Sequence, residues 1–204
     1  MAAASIHQAI HGYRDGHRLL SGSIVLGTEA ARVMLVLSDM SGPSMSSGFE
    51  EYLTGYPLPG SDLFVFAKTW YAPEMQRPGC VWTHSLLISR QHISQVSAPL
   101  LLASLRRPQL DGVESSATSP IVVDDASAAA SASEGFADKP IAVALIGAAL
   151  GQPRPVIVAA DNSSQVESAL LRLWDELWPA AKGRFSFCTG ALMPRTVAGA
   201  LMDI

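Results

Sequence analysis

Residues 62–89 read DLFVFAKTWYAPEMQRPGCVWTHSLLIS and contain two apolar runs on either side of the turn-forming segment APEMQRPG. Both runs are rich in β-branched and aromatic residues, which favour strands, and the segment between them supplies proline and glycine. We therefore expect two strands that follow each other in the chain. Because side chains alternate along a strand, one face of the second strand is shared by Trp82, His84, Leu86 and Ile88. Most of that face must be buried, and His84 with it.

The stretch HQAIHGYRDGHRLLSGS, residues 7–23, contains three of the five histidines of the chain. Its Asp-Gly dipeptide at 15–16 lies between strand-compatible residues and indicates a two-residue hairpin turn with positive φ. The register of such a turn places His7 and His11 on one face of the hairpin and His17 on the other. Along a strand, His7 and His11 would lie about 13 Å apart, whereas a zinc ion holds a nitrogen at about 2.1 Å. A strand therefore excludes one ion shared by His7 and His11. A mixed site of His17, His84 and Cys80 stays open, but structural histidines are favoured over ligands, and we expect no metal site and no cofactor.

Charge and composition limit the classes of protein. The formal net charge is -4 at pH 7, which argues against a nucleic-acid binder. The two cysteines, Cys80 and Cys188, are too few for a disulfide framework, and residues 1–10 lack the basic start and long apolar run of a signal peptide. The most apolar stretches are shorter than the roughly 20 residues that span a bilayer. We therefore expect a cytoplasmic protein without a membrane segment.

Two patterns follow the hairpin. Residues 28–40, TEAARVMLVLSDM, have apolar side chains at helical spacing and are followed by Gly42 and Pro43, which predicts a helix that ends there. Residues 41–61 are rich in turn formers and predict a long structured loop.

The second half of the chain changes in character. Residues 109–138 are dominated by Ser, Ala, Asp and Gly and predict a linker or mobile loop, with a short edge strand at PIVVD. Beyond it the pattern alternates: helix 139–150, strand 154–161, helix 163–178 and strand 183–190. Ser164 and Glu167 predict a capping box at the start of the last helix. The buried stripe of that helix is Val166, Leu170, Leu173, Trp174 and Leu177.

These elements predict an α+β fold. The N-terminal hairpin and the central strands form a mostly antiparallel sheet, and the C-terminal helix and strand pairs pack against it. We expect one domain over residues 1–204, with a hairpin and sheet lobe over 1–108, the linker or loop over 109–138 and a helix-strand-helix-strand lobe over 139–204.

The chain carries side chains for nucleophilic catalysis, but not at a recognisable spacing. Cys80, Cys188 and Ser21 are candidate nucleophiles, and His17 and His84 are candidate bases. There is no GxSxG, CxxC or HExxH, and GAALGQPR lacks the Lys-Ser/Thr pair of a P-loop. Structural histidines and a buried Cys188 are therefore favoured over ligands and nucleophiles.

The segment KTWYAPEMQRPGCVWTH is a dense basic and aromatic cluster that includes Trp70, Arg77 and Trp82. Tryptophan and arginine dominate the hot spots of protein interfaces, so the tip of this hairpin is a candidate partner surface. A packed hairpin whose Arg77 orders the loop explains the same pattern equally well. Both interpretations stay open at this point.

Four motifs occur in one order and spacing: HQAIHGYRDGHRLLSGS, LSDMSG, EYLTGYPL and AKTWYAPEMQRPGCVWTHSLLI. This arrangement resembles the N-terminal domain, type 1, of the GTPase-associated protein 1 family, strongly over about residues 6–90 and more loosely beyond them. The resemblance implies a core component of bacterial NTP-dependent conflict systems, in which a long multidomain protein is encoded beside a GTPase and acts in antiviral defence. Family members continue into further domains, so it also implies an excised domain or a short stand-alone form.

The resemblance implies a partner and a system rather than a reaction. We expect a non-catalytic interaction or regulatory module that binds a GTPase or another protein of the same system, and several polar residues of the motifs should converge in one cleft. The candidate binding residues are Tyr13, His17, Asp39, Trp70, Arg77, Trp82 and His84. The alternative is a hydrolase-type enzyme that uses His17 and His84 as acid and base and Cys80 as nucleophile. A third interpretation is a scaffold for self-assembly.

Overall fold

The computed structural model of the protein describes residues 4–39, 48–123, 139–150, 155–191 and 193–204. Within these ranges, the strands form one antiparallel sheet of seven strands and a separate hairpin of two. The sheet contains β1 (Ala4–Tyr13), β2 (His17–Gly22), β3 (Glu51–Pro57), β4 (Leu63–Tyr71), β5 (Val81–Ser89), β6 (Ile121–Val123) and β7 (Phe187–Cys188). The hairpin consists of β8 (Thr196–Val197) and β9 (Ala200–Leu201).

The order of the strands in the sheet is β2-β1-β5-β4-β3-β7, and β6 pairs with the first residues of β1. Strands β3, β4 and β5 follow one another in the chain and in the sheet, because short connections favour antiparallel neighbours. The predicted strands at 62–89 are confirmed as β4 and β5. The α+β class and the antiparallel sheet are confirmed as well.

Helices cover both faces of the sheet. They are α1 (Thr28–Ser38), α2 (Ala98–Ser104), α3 (Lys139–Ala149), α4 (Ser164–Glu176) and the single turn α5 (Pro179–Lys182), with 3-10 turns at Arg90–Gln95 and Val113–Ser115. Helix α1 packs on one face through Ala30, Val33, Met34 and Leu37. Helices α2, α3 and α4 pack on the other face. The predicted stripe of α4 is buried, as expected.

The larger core lies between the sheet and α4. The Trp174 ring of α4 lies 5.6 Å from the ring of Phe64 and 5.7 Å from that of Phe66. Phe66 also meets Phe187 of β7 at 6.2 Å. Each buried ring contributes about 2 to 3 kcal/mol through removal of apolar surface from water. The C-terminal elements therefore complete the core that the N-terminal strands begin.

The predicted register of the first hairpin is wrong near its turn. The loop contains three residues, 14–16, with positive φ at Asp15 and Gly16, so Tyr13 pairs with His17. This shift by one residue turns the side chain of His17 to the face that carries His11. A bulge between Ile10 and His11 then restores the predicted pairing further along the strands.

Three further expectations need correction. Residues 51–57, predicted as part of a loop, form the strand β3, which pairs with β4 on one side and β7 on the other. Residues 155–160 belong to no strand. The capping box is absent: Asn162 Oδ1 accepts the amide of Gln165, and Glu167 binds Thr189 instead. The predicted stop at Gly42-Pro43 and residues 124–138 of the Ser/Ala-rich segment lie outside the described residues.

Candidate functional site

The sequence motifs meet at one end of the sheet. Because neighbouring strands are antiparallel, β1 and β4 end there, and β2, β3 and β5 begin there. Helix α1 also ends there at Ser38, whose carbonyl oxygen accepts the hydroxyl of Thr83 at the start of β5. We call this region the hairpin end and define it by residues 13–17, 38–39 and 72–80. It brings together side chains that lie up to about 70 positions apart in the sequence.

His17 contacts the end of α1 at this place. Its Nε2 lies 2.8 Å from Ser38 Oγ, and its Nδ1 lies 4.0 Å from Asp39 Oδ1. The Ser38 hydroxyl donates to the carbonyl oxygen of Leu35 at 3.0 Å. Since a serine hydroxyl has one hydrogen, the His17 ring is the donor in the contact with Ser38. The imidazole thereby fixes β2 to the last turn of α1.

A row of buried polar side chains crosses the sheet beside this contact. His11, Thr83, Thr69 and Tyr52 face one another on β1, β5, β4 and β3. Thr83 uses its only hydrogen on the Ser38 carbonyl oxygen, so Thr69 donates in the 2.8 Å contact between the two threonines. This bonding satisfies a carbonyl that the helix end would otherwise leave unpaired.

His17 of the hairpin end stacks on the buried His11 of β1, and both rings are neutral near pH 7. The His11 and His17 rings are 6.1 Å apart with an angle of 15° between their planes. Burial, together with the neighbouring His17, lowers the pKa of His11 to about 3. Burial also lowers the pKa of His17, while Asp39 opposes that effect. His11 Nδ1 is buried without a hydrogen-bond partner.

His84 lies on the opposite face of the sheet from His17. It is opposite Ile10 on β1, one position away from the His11–Thr83 pair. Its Nε2 contacts Gln8 Oε1 at 3.0 Å, and its Nδ1 accepts the amide of Arg106. Burial lowers the pKa of His84 to about 4. The structure therefore does not bring the two proposed acid and base groups together.

Cys80 is buried in a small apolar cluster with Met75 and Trp82. Burial raises the pKa of its thiol; the charge of Arg77 opposes this rise, and the charge of Asp39 adds to it. A thiol is a poor nucleophile until it loses its proton, so this environment does not activate Cys80.

The aromatic residues of the second hairpin are mainly structural. Trp82 is fully buried and donates its indole N–H to Glu74 at 2.7 Å, and Glu74 in turn accepts Arg107. Trp70 is half-buried, with the Lys68 ammonium 5.7 Å from its ring centre. Trp82 and His84 position strands rather than face solvent. Neither of them can contact a partner directly.

The exposed part of the hairpin end is charged. Arg77 is exposed, and its guanidinium makes no hydrogen bond or ion pair with any described residue. Asp39 is exposed, and Tyr13 and His17 are partly exposed. These four of the seven candidate binding residues therefore share one end of the molecule and are accessible from outside. Ser38, Thr69 and Thr83 lie buried beneath them and bond to one another across β4, β5 and the end of α1. These three are not among the binding residues predicted from the sequence.

The contact between Ser38 and His17 resembles that of a nucleophile and its base, but three features oppose this chemistry. Ser38 is 3% exposed, and its proton is held by the Leu35 carbonyl oxygen. It also ends α1, where the helix dipole disfavours the negative charge of an oxyanion. The pattern is that of a structural contact at a helix end.

The described residues contain neither a candidate metal site nor a candidate membrane-spanning helix. No group of three or more His, Cys, Asp or Glu side chains in these ranges is placed to hold a metal ion. None of the helices there combines the length and the apolar character needed to cross a bilayer.

The fold and the hairpin end define an α+β domain with its motif residues gathered at one end of an antiparallel sheet. Residues 5–105 match the family model of GTPase-associated protein 1, N-terminal domain type 1, and the chain belongs to this family through that stretch. The matched residues include β1 to β5, α1 and α2, and so contain the whole hairpin end. No curated protein and no solved structure matches the chain.

Proposed function

We propose that this chain is a non-catalytic interaction module that binds a GTPase, or a sister domain, of a bacterial conflict system in the cytoplasm. The observation that carries the proposal is the convergence of the family motifs at the hairpin end, where Arg77 and Asp39 are exposed beside Tyr13. An antiviral role follows if the partner is a GTPase of such a system.

The chemistry of the surface favours a protein partner. Arg77 has five N–H donors available on a loop that the hydrogen bond between the buried Trp82 and Glu74 holds in place. Because the guanidinium is planar and rigid, an arginine loses less entropy for each hydrogen bond it forms than a lysine does, and arginines are frequent in interface hot spots. Asp39 adds a charge of opposite sign close by, so the surface specifies orientation as well as contact.

The hydrolase alternative has weaker support. It requires His17, His84 and Cys80 within hydrogen-bond reach of one substrate. The two histidines lie on opposite faces of the sheet, and burial holds the Cys80 thiol in its protonated form.

The test is binding of the purified chain to each GTPase that its gene neighbourhood encodes, by isothermal titration calorimetry with GDP and with a non-hydrolysable GTP analogue. Arg77→Ala should weaken the complex at least about tenfold, because truncation of an interface arginine costs about 2 kcal/mol or more. Arg184→Ala removes an exposed arginine of the C-terminal region and should bind like the parent.

Circular dichroism melting separates loss of the surface from loss of the fold. Arg77→Ala should keep the melting temperature of the parent. Parent-like affinity of Arg77→Ala for the GTPase, or no binding by the folded parent protein in either nucleotide state, would contradict the proposal.

A further inference from the structure

A cavity of about 340 Å³ lies away from the hairpin end, at the outer side of β7. It opens between the segment 155–160, the residues after β7 and the last residues of the chain. Its apolar lining includes Val156, Val158, Val166, Met193, Met202 and Ile204. A volume of this size is within the range of cavities that bind small molecules.

The walls of the cavity are held by main-chain hydrogen bonds. The amide of Cys188 donates to the carbonyl oxygen of Ile204 at 2.9 Å, and the amide of Ile204 donates to Ser186 at 3.2 Å. The amide of Val156 then donates to the carbonyl oxygen of Asp203 at 2.9 Å. The last residues of the chain thereby lie alongside β7, and the segment 155–160 lies alongside those last residues. The cavity is built from ordered backbone and not from surface side chains alone.

One cation lines this apolar space. The guanidinium of Arg195 donates to the carbonyl oxygen of Leu37 at 3.3 Å. Among the described residues it has no acidic partner, although its side chain is partly buried. Its charge also reaches the buried Tyr52 and Tyr56, where it opposes the rise in pKa that burial causes. A partly buried guanidinium with one long hydrogen bond has donors left for an anion.

The other polar groups of the lining are already occupied. The Thr189 hydroxyl donates to Glu167 Oε1 at 3.0 Å and accepts the amide of Leu53 at 2.8 Å. The Cys188 thiol accepts the hydroxyl of Thr54 at 3.6 Å. Glu167 carries negative charge toward the Thr189 side of the cavity, which leaves Arg195 as the place for an anionic group.

We propose that this cavity binds a small apolar monocarboxylate, with the carboxylate on Arg195 and the aliphatic chain between the segment 155–160 and Met202. At roughly 30 Å³ for each water-sized group, the volume holds about ten non-hydrogen atoms. A guanidinium matches a carboxylate with two parallel hydrogen bonds, and the lining suits an uncharged chain. This inference does not rest on the proposed function, because it uses a different part of the molecule.

The probe is octanoate, titrated into the full chain by isothermal titration calorimetry, with 1-octanol as the uncharged ligand of similar length. We expect saturable binding of one octanoate. Arg195→Gln should weaken it at least about tenfold, the effect of losing a charge-assisted hydrogen bond. Arg184→Gln, the matched control at an exposed arginine, should leave the affinity unchanged. Octanol should bind the parent protein and Arg195→Gln equally and weakly.

A second pair of variants keeps the test decisive if Arg195→Gln does not fold. Arg195→Lys keeps the positive charge but loses the two parallel N–H donors of the guanidinium, so it should bind octanoate less tightly than the parent. Ala160→Phe fills the cavity from the segment 155–160 and should abolish binding while Arg195 stays in place. Equal octanoate affinity of the parent and Ala160→Phe would overturn the proposal, because it would place any bound octanoate outside this cavity.

The same chemistry can come from a protein C-terminus. A parallel titration therefore uses acetyl-Val-Leu with a free carboxyl group. Tighter binding of this peptide than of octanoate, again lost in Arg195→Gln, would identify the ligand as a chain end and still support the carboxylate site. Failure of both ligands would sink it.

Discussion

At the residue scale, the burial of His11 beside the hairpin end makes the stability of the fold depend on pH. It is 3% exposed, its Nδ1 has no hydrogen-bond partner, and its pKa falls to about 3 in the fold. In the unfolded chain a histidine titrates near about 6.5. Between these two values the unfolded state binds more protons than the fold. Stability is therefore fully present above about pH 6.5 and is lost as the pH falls.

We predict that the unfolding free energy of His11→Gln depends less on pH than that of the parent protein. Below about pH 6.5, a buried neutral histidine of this kind lowers the unfolding free energy by up to about 1.4 kcal/mol for each pH unit. Urea unfolding at pH 7, 6 and 5 should show a shallower loss of unfolding free energy for His11→Gln than for the parent. Some dependence should remain, because the pKa of His84 also falls, to about 4.

The matched control for this experiment is His92→Gln, at a partly exposed histidine on the 3-10 turn after β5. It should retain the pH dependence of the parent, because it leaves the buried His11 in place. An unchanged slope in His11→Gln would show that His11 takes up its proton in the folded state without penalty.

At the scale of elements, Gly12 determines how closely β1 can lie beside the ring of Trp82. A Cβ at Gly12 would lie 2.6 Å from two ring atoms of Trp82. That ring is fully buried and fixed by its hydrogen bond to Glu74, so it cannot move aside easily. We predict that Gly12→Ala lowers the unfolding free energy by about 1 to 3 kcal/mol, the usual effect of overpacking.

Gly22→Ala is the control on the same strand pair, because a Cβ there meets its nearest atom at an ordinary 3.4 Å. Chemical denaturation of both variants measures the difference. Equal midpoints for Gly12→Ala and Gly22→Ala would mean that β1 can shift away from Trp82 without cost.

Among the strands and helices, those with long periodic patterns are predicted well from the sequence. The strands β4 and β5 and the helix α4 carry long periodic patterns, and all three are where those patterns place them. Strand β3 was missed because Gly55 and Pro57 imitate a loop, although Gly55 is needed there to make room for the ring of Phe187. A three-residue turn instead of a two-residue turn was enough to place His17 on the wrong face.

At the scale of the whole molecule, the hairpin end could be predicted only in part. The motifs identify most of its exposed residues, because polar side chains between apolar runs are visible in the sequence. Which of them share a face depends on register, and which share an end depends on strand order. Neither is encoded locally, so the separation of His17 from His84 and the contact of His17 with Ser38 required the structure.

The last prediction concerns the unity of the domain. The family stretch 5–105 contributes Phe64 and Phe66 to the larger core, whereas their ring partners Trp174 and Phe187 lie outside it. A chain that ends at residue 105 would expose this apolar face to water, and large exposed faces of this kind abolish specific packing. We predict that this fragment binds the dye ANS and unfolds without a cooperative transition in urea.

The full chain with Trp174→Ala is the milder comparison. It should still unfold cooperatively, with a loss of about 3 to 5 kcal/mol, because one cavity weakens a core without removing a layer. Cooperative unfolding of the 1–105 fragment at the midpoint of the full chain would show two independent units. The predicted outcome instead makes β7 an integral part of the sheet that carries the hairpin end and α4 an integral part of its core, so a partner bound at the hairpin end stabilises both parts together.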